Sequence, residues 1–269
     1  MTRSQVPAQY ATGTARSGIE RALLAAGKDL GRLRLDDLAM LEDFHTSGRI
    51  ATGELADLVD ITSATEVLDA GTGIGGTARY LADRFGCRVT GVDLVEEYCE
   101  IARWLDRLVG LDDRITVRCA DVTALPFPDG AFQVVFSQHV QMNIADKDGL
   151  YREMRRVLAR GGRLALWDIT TSGAGEPDYP LPWADSPGFG HLTTPAALRA
   201  TMEATGFAVE RWDDRTDEAM AVMRMVRQLP PSPLGLHAFV PDFATRAAHL
   251  TDALADGRLR AIRAVARAR

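Results

Sequence analysis

The sequence predicts an α/β fold in which a mostly parallel sheet carries helices on both faces. Short apolar runs alternate with helical patterns between Thr65 and Ile169, as in chains that build parallel sheets. The first run, Val67 to Ala70, contains an acid and leads directly into a glycine-rich turn before a helix begins near Thr77. A second run, Arg88 to Asp93, also ends in an acid. Such strand ends border the ligand sites of open α/β sheets.

Seven strands follow from the apolar runs and the turns that separate them. The first two are the runs just described, and the third is Arg114 to Ala120. The remaining four lie within Leu125 to Val140, at Arg163 to Ile169, at Phe207 to Arg211 and at Arg258 to Val265. Helices are expected between them, among them Gly149 to Leu158 and Pro195 to Thr205.

The domain organisation is predicted from the segments outside this alternation. Residues 1–62 are helical in pattern, with helices at Ile19 to Ala26, Leu35 to Leu41 and Ile50 to Val59, and should form an N-terminal cap or lid. Residues 63–269 should form the main domain. It would carry insertions at about 170–192, rich in glycine and proline, and at about 217–257, largely helical.

The glycine-rich turn predicts a nucleotide-like ligand, because Gly71, Gly73 and Gly75 permit positive φ and a close approach of the backbone. Gly71, Gly73 and Gly76 fit the G-x-G-x-x-G pattern of dinucleotide sites, with Asp93 as the ribose acid. An NAD(P)-dependent oxidoreductase is therefore one hypothesis. Asp69 favours a ligand without phosphate, since an acid beside a pyrophosphate would be repelled.

Later motifs carry a family resemblance. Asp69 with the glycines gives D-x-G-x-G-x-G, Asp93 ends the second strand, Asp121-Val122 follow the third, and LPFPDGAFQVV leads into the fourth. In this order they resemble the class I S-adenosylmethionine-dependent methyltransferases. The resemblance implies a Rossmann-like seven-stranded sheet and S-adenosyl-L-methionine as cofactor, with S-adenosyl-L-homocysteine as product. The segments Phe44 to Thr52 and Ser137 to Ile144 are similar to bacterial methyltransferases acting on metabolites such as sarcosine.

The resemblance also implies a set of site residues. Those expected to bind the cofactor are Asp69, Gly71, Thr72, Gly73, Gly75, Asp93, Leu94, Asp121, Val122, Ser137 and, from the cap, Tyr10 and Phe44. Those expected to contact the methyl acceptor are His45, Gln138, His139, Met142, Asn143, Tyr179 and Trp183. His139, just past the fourth strand, is the candidate general base if the acceptor is a hydroxyl, thiol or acidic carbon. For an amine delivered as the free base it would only bind or orient the acceptor.

The composition excludes several classes of binding partner. A net charge of −6 argues against nucleic acid, which needs a basic surface. No apolar run is long enough to span a bilayer, so a cytoplasmic protein without membrane contact is expected. The cysteines lack metal-ligand spacing, and methyl transfer from a sulfonium requires no metal. The sequence thus predicts transfer of a methyl group to a small-molecule acceptor through nitrogen, carbon or oxygen. The sequence leaves two alternatives undecided. The protein could form a homodimer, and it could bind the same cofactor but catalyse a different reaction, as a cyclase does.

Overall fold

The computed structural model describes residues 10–42 and 44–269, and one seven-stranded sheet runs through it in the order β3-β2-β1-β4-β5-β7-β6. The neighbouring strands from β3 to β5 pair in parallel, whereas β7 is antiparallel to both β5 and β6. The predicted Rossmann-like, mostly parallel α/β sheet is confirmed. The strands are β1 Glu66–Ala70, β2 Arg88–Asp93, β3 Ile115–Cys119, β4 Phe132–Gln138, β5 Leu158–Thr171, β6 Phe207–Asp214 and β7 Leu259–Ala268.

The described residues contain eight α-helices, which cover both faces of the sheet or extend the N-terminal part. They are α1 Ala15–Ala25, α2 Gly48–Ala56, α3 Gly76–Phe85, α4 Glu96–Leu108, α5 Lys147–Val157, α6 Pro195–Ala204, α7 Thr216–Arg227 and α8 Phe243–Ala255. The helical parts of the segment 217–257 fall close to their predicted positions. In the segment 170–192 the one helical turn among the described elements is Pro187–Phe189.

Strand residues alternate between two apolar layers. In β5, Ala165 and Trp167 face a layer that includes α2 and α3, whereas Leu164 and Leu166 face α5 and α6. Because side chains on a strand point alternately to the two faces, both sides of the sheet must be apolar to be covered in this way. This explains why the strands appear as nearly continuous apolar runs.

The predicted helix over Leu35 to Leu41 is wrong. The chain there forms only a short 3-10 turn, Leu35–Asp37, followed by further bonds between residues three apart, such as Leu41 N–H to the Leu38 carbonyl at 2.8 Å. The Asp37 carboxylate accepts the Arg34 N–H at 2.9 Å and pairs with Lys28 at 2.6 Å. These side-chain bonds compete with a continuing helix. Leu38 and Leu41 are nevertheless fully buried.

A buried charge cluster joins the N-terminal part to the glycine-rich turn. Arg79 of α3 is fully buried, and its guanidinium donates to Glu42 at 2.8 and 3.1 Å and to Asp106 of α4 at 2.9 Å. It also donates to the carbonyl of Ile74, within the turn, at 2.7 Å. Arg49 of α2 donates to the other oxygen of Glu42 at 2.7 Å. Two arginines and two carboxylates therefore compensate one another, and all of them except Arg49 are buried from water.

Replacing Arg79 should destabilise the protein far more than replacing an exposed arginine on the same helix. Arg79→Met leaves Glu42 and Asp106 buried without their common partner, which costs about 3 to 5 kcal/mol in comparable cases. Arg84→Met is the matched control, because Arg84 pairs with Asp57 at the surface, where such pairs contribute about 1 kcal/mol or less. Urea unfolding at pH 7 measures both losses. Equal losses would contradict the importance of the buried cluster.

Candidate active site

A cleft opens at the carboxyl ends of β1, β2 and β4, the edge where open α/β sheets bind ligands. The turn after β1 forms its floor, through Gly71 and Gly73. The loop after β4 forms one wall. Residues from the N-terminal part and from the segment between β6 and β7 complete it.

The glycine-rich turn needs glycine for two different reasons. Gly71, Gly73 and Gly75 have φ of +82°, +55° and +91°, a region that residues with a Cβ rarely adopt. A Cβ on Gly71 would also lie 2.4 Å from Val140 in the loop after β4, and one on Gly73 would lie 3.6 Å from the ring of Phe44. The turn is therefore packed against both walls of the cleft.

Two carboxylates border the cleft at neighbouring strand ends. Asp93, at the end of β2, accepts the N–H of Gly73 at 2.8 Å and that of Val95 at 2.9 Å. Asp121, beyond β3, accepts from the amide and hydroxyl of Thr123 at 2.8 and 2.6 Å. Burial raises the pKa of Asp93. Leu94 and Val122, which the sequence also placed among the cofactor residues, line the cleft beside these acids.

The other predicted cofactor residues of the sheet and turn do not reach the cleft. Asp69 lies beneath the turn, almost fully buried, and accepts the hydroxyl of Thr72 at 2.6 Å. Burial raises the pKa of Asp69 to about 7. Gly75 starts α3 over the Arg79 side chain, and Ser137 is fully buried within β4. These residues shape the turn from below.

Aromatic side chains cover the glycine-rich turn. Tyr10 and Phe44, the two cofactor residues predicted from the cap, both line the cleft. The Phe44 ring packs 5.4 Å from the rings of Tyr98 and Phe239, and the Tyr10 ring lies 6.1 Å from that of Tyr98. The Tyr10 hydroxyl donates to the Asn143 side chain at 3.1 Å, which links the N-terminal part to the opposite wall.

The loop after β4 brings four predicted acceptor residues to the cleft, namely Gln138, His139, Met142 and Asn143. Asp168, buried in β5, holds this loop by accepting the N–H groups of Val140 and Gln141 at 3.1 and 3.0 Å. Burial raises the pKa of Asp168 to about 7. The Lys147 ammonium donates to the carbonyls of Gln141, Ile144 and His191, so the loop is fixed from two sides.

The remaining predicted acceptor residues divide between the cleft and the layer behind it. Trp183 lines the cleft, with its ring 6.4 Å from that of His139. Tyr179 is partly buried and packs on the core outside the cleft. His45 lies behind the wall, where the side-chain amide of Gln138 is 3.3 Å from its Nε2. Its ring is 6.1 Å from that of His139.

Both imidazoles are neutral at physiological pH. Burial lowers the pKa of His45 to about 4. Burial, together with the nearby His45, lowers the pKa of His139 well below its usual value of 6.5. A neutral imidazole has one donor and one acceptor nitrogen, so the proton position on each ring determines what it offers to a ligand.

Several residues of the cleft are absent from the sequence prediction. Tyr98 comes from α4, and Leu236, Val240 and Phe243 come from the segment between β6 and β7. The sequence predicted an insertion at about 217–257, but its apolar residues carry no motif. Only the fold brings them opposite the loop after β4.

Comparison with known proteins agrees with this geometry. Residues 68–166 match the family described as a methyltransferase domain. These residues carry the class I S-adenosylmethionine-dependent methyltransferase domain that the sequence predicted. The predicted family and the predicted cofactor, S-adenosylmethionine, are thereby confirmed.

One curated relative is the sarcosine/dimethylglycine N-methyltransferase of Halorhodospira halochloris. The two sequences are 33% identical over a stretch that covers 56% of this chain and 54% of the relative. The chain spans about half the length, or less, of the curated relatives it matches. Among solved structures, geranyl diphosphate C-methyltransferase from Streptomyces coelicolor A3(2) has a TM-score of 0.74 at 18% identity, covering 99% of this chain and 98% of its own. The [4+2]-cyclase SpnF has a TM-score of 0.69 at 23% identity, and the match covers 99% of this chain and 97% of SpnF. These two likenesses concern the fold.

The residues of the cleft are compatible with this cofactor. Gly71 and Gly73 allow close approach of a ligand, and the carboxylates of Asp93 and Asp121 border the cleft, where each could accept hydrogen bonds from hydroxyl or amino groups of a bound nucleoside. No lysine or arginine lines the cleft within residues 10–42 and 44–269, which suits a cofactor without phosphate. Within the same ranges, no three His, Cys, Asp or Glu side chains are grouped closely enough to hold a metal ion. None of the described helices is both long and apolar enough to span a membrane.

The contact between Gly71 and Val140 can be tested with a pair of glycine variants. Gly71→Ala should weaken binding of S-adenosylhomocysteine at least tenfold in calorimetry, because Val140 must move and take the wall with it. Gly110→Ala is the control, since Gly110 has a similar φ of +69° but open space around its Cβ position. Gly110→Ala should lower the free energy of unfolding by about 1 kcal/mol through backbone strain alone. Its affinity for S-adenosylhomocysteine should be unchanged. Equal affinities in the two variants would contradict the packing argument.

The buried His45 should make the protein acid-sensitive. Its folded-state pKa of about 4 lies below the value of about 6.5 in the unfolded chain, so between these values only the unfolded chain binds the proton. Stability therefore falls as the pH drops through this window, by about 2 kcal/mol between pH 7 and pH 5 from this group.

Between pH 7 and pH 5, the free energy of unfolding of His45→Gln should fall by about 2 kcal/mol less than that of the wild type. Urea unfolding at the two pH values measures both changes. His237→Gln, which removes an exposed histidine, serves as control and should follow the wild-type curve. If His45→Gln also follows the wild-type curve, His45 is not held neutral by the fold.

Proposed function

We propose that the protein transfers a methyl group from S-adenosylmethionine to a small, uncharged and largely apolar metabolite bound beside the loop after β4. The composition of the acceptor side of the cleft carries this proposal. Its walls are mostly apolar, from Met142, Ile144, Pro182, Trp183, Leu236, Val240 and Phe243. Among the described lining residues on this side, the polar side chains are those of Gln138, His139, Asn143 and Tyr10, apart from the indole N–H of Trp183.

The lack of a cation in the described lining supports an acceptor different from those named for the relatives. Sarcosine carries a carboxylate and geranyl diphosphate carries a diphosphate. A buried anion requires a compensating charge, because its desolvation is otherwise too costly. The described cleft residues supply hydrogen bonds but no positive side chain. An aromatic or terpenoid compound with one polar group matches such walls.

The protein's contribution to the reaction is positioning and the exclusion of water. The cofactor, when bound, supplies an activated methyl group on its sulfonium sulfur. Asp93, Asp121 and the glycine floor hold the nucleoside end, and the aromatic cover of Tyr10 and Phe44 shields the cleft from solvent. His139 and Asn143 orient the polar atom of the acceptor. Fixing two reactants in this way lowers the barrier by about 7 to 11 kcal/mol in well-oriented systems.

The cofactor and the acceptor are tested separately. Calorimetry should show binding of S-adenosylhomocysteine and none of NAD, and the reverse result would overturn the proposal. Transfer of labelled methyl groups is then measured across a panel of uncharged aromatic and terpenoid alcohols, ketones and amines, with sarcosine and phosphoethanolamine as charged counterparts.

We expect turnover within the uncharged group. Preference for a charged counterpart would overturn the proposed acceptor class. Binding of S-adenosylhomocysteine without transfer to any compound would favour altered chemistry on the same cofactor.

A further inference from the structure

The hydrogen bonds around His139 determine which of its ring nitrogens carries the proton. The backbone N–H of Thr46 points at Nε2 of His139, 3.3 Å away. A backbone N–H can only donate, so Nε2 must accept and is unprotonated. The proton of the neutral ring then resides on Nδ1.

The side chain of Thr46 has the same effect. The indole N–H of Trp167 donates to the Thr46 hydroxyl oxygen at 2.8 Å, and that oxygen lies 3.2 Å from Nε2 of His139. Because Nε2 is already an acceptor for the Thr46 N–H, the hydroxyl that accepts from the indole donates its own proton to Nε2. The Thr46 carbonyl lies 3.3 Å from Nδ1 of His45, which fixes the peptide from its other side.

The backbone conformation of His139 supports the same proton position on its ring. Its φ of +55° is unusual for a residue with a Cβ and costs about 1 to 2 kcal/mol. The conformation is held by the His139 N–H, which donates to the Trp167 carbonyl at 2.8 Å. This strained geometry places Nε2 against Thr46. Within residues 10–42 and 44–269, Nδ1 makes no hydrogen bond, and the ring borders the cleft.

We propose that Thr46 is a positioning residue that fixes His139 as a hydrogen-bond donor to the acceptor, through Nδ1–H, rather than as a base. This inference rests on the proposed function, and it names the acceptor's polar atom as one with a lone pair, a carbonyl or hydroxyl oxygen. The lowered pKa of His139 agrees with a ring that stays neutral as a donor. Of the two roles that the sequence left open, it selects orientation.

The proton position is measured directly, on the full chain with ¹⁵N-labelled histidine. The His139 signals are assigned by their loss in His139→Gln. At pH 7 we expect a protonated Nδ1 and an unprotonated Nε2. A protonated Nε2 would overturn the proposal, whether or not methyl transfer is detected, so its failure is distinct from failure of the proposed function.

Two substitutions at Thr46 separate the hydroxyl from the rest of the side chain. Thr46→Ser keeps the hydroxyl and should keep the wild-type signals. Thr46→Val keeps shape and the backbone N–H but removes one of the two donors, so both His139 signals should move toward the other tautomer. Identical spectra for the two variants would overturn the role of the Thr46 hydroxyl.

The donor role is tested with a matched pair of probes in the presence of S-adenosylhomocysteine. Acetophenone offers a carbonyl oxygen, whereas α-methylstyrene has the same shape without one. Acetophenone should shift the protonated Nδ1 signal of His139, and α-methylstyrene should not. No shift with either probe, or the same shift with both, would overturn the assignment of Nδ1–H to acceptor binding.

Discussion

The ion pairs of Arg79 are the interaction on which the site depends. A fully buried guanidinium is tolerated only when carboxylates and carbonyls surround it, and here these come from Glu42, Asp106 and the turn at Ile74. The segment before α2, helix α4 and the glycine-rich turn are thereby fixed to one another. Phe44, two residues beyond Glu42, lies over Gly73, so these ion pairs tie the cover of the cleft to its floor.

The opposite wall is fixed by different chemistry. Backbone amides of the loop after β4 donate to Asp168, and backbone carbonyls of the same loop accept from Lys147. The contact between Gly71 and Val140 joins this wall to the floor. Polar groups thus hold the loop from behind, which leaves its front free to present Met142 and His139 to a ligand. A rigid wall suits a reaction in which alignment supplies most of the catalysis.

Sequence patterns predict the parts of this molecule that depend on local chemistry. The glycines of the turn, Asp93 and Asp121 follow buried strands, and strand ends of a parallel sheet converge on one edge, so linear order was enough to place them. Asp69 was expected at the ligand but lies beneath the turn, because a short strand can point its acid to either side. Arg79 looked like an ordinary helix residue. Its burial depends on partners 27 and 37 positions away, which no local pattern contains. The helix predicted over Leu35 to Leu41 failed because apolar spacing cannot detect the side-chain bonds of Asp37.

The position between β6 and β7 of the cleft residues Leu236, Val240 and Phe243 has a consequence for how such clefts diversify. These strands are antiparallel neighbours, and Asp214 pairs with Ile262, so both ends of the intervening segment are anchored side by side in the sheet. Lengthening a segment whose ends are already held together adds little entropic cost. Leu236 and Val240, however, pack on the apolar cluster that contains Ile74 of the glycine-rich turn, so exchange of these residues also changes the support of the turn. The length of the segment can change at little cost, whereas its apolar residues must change together with those that support the turn.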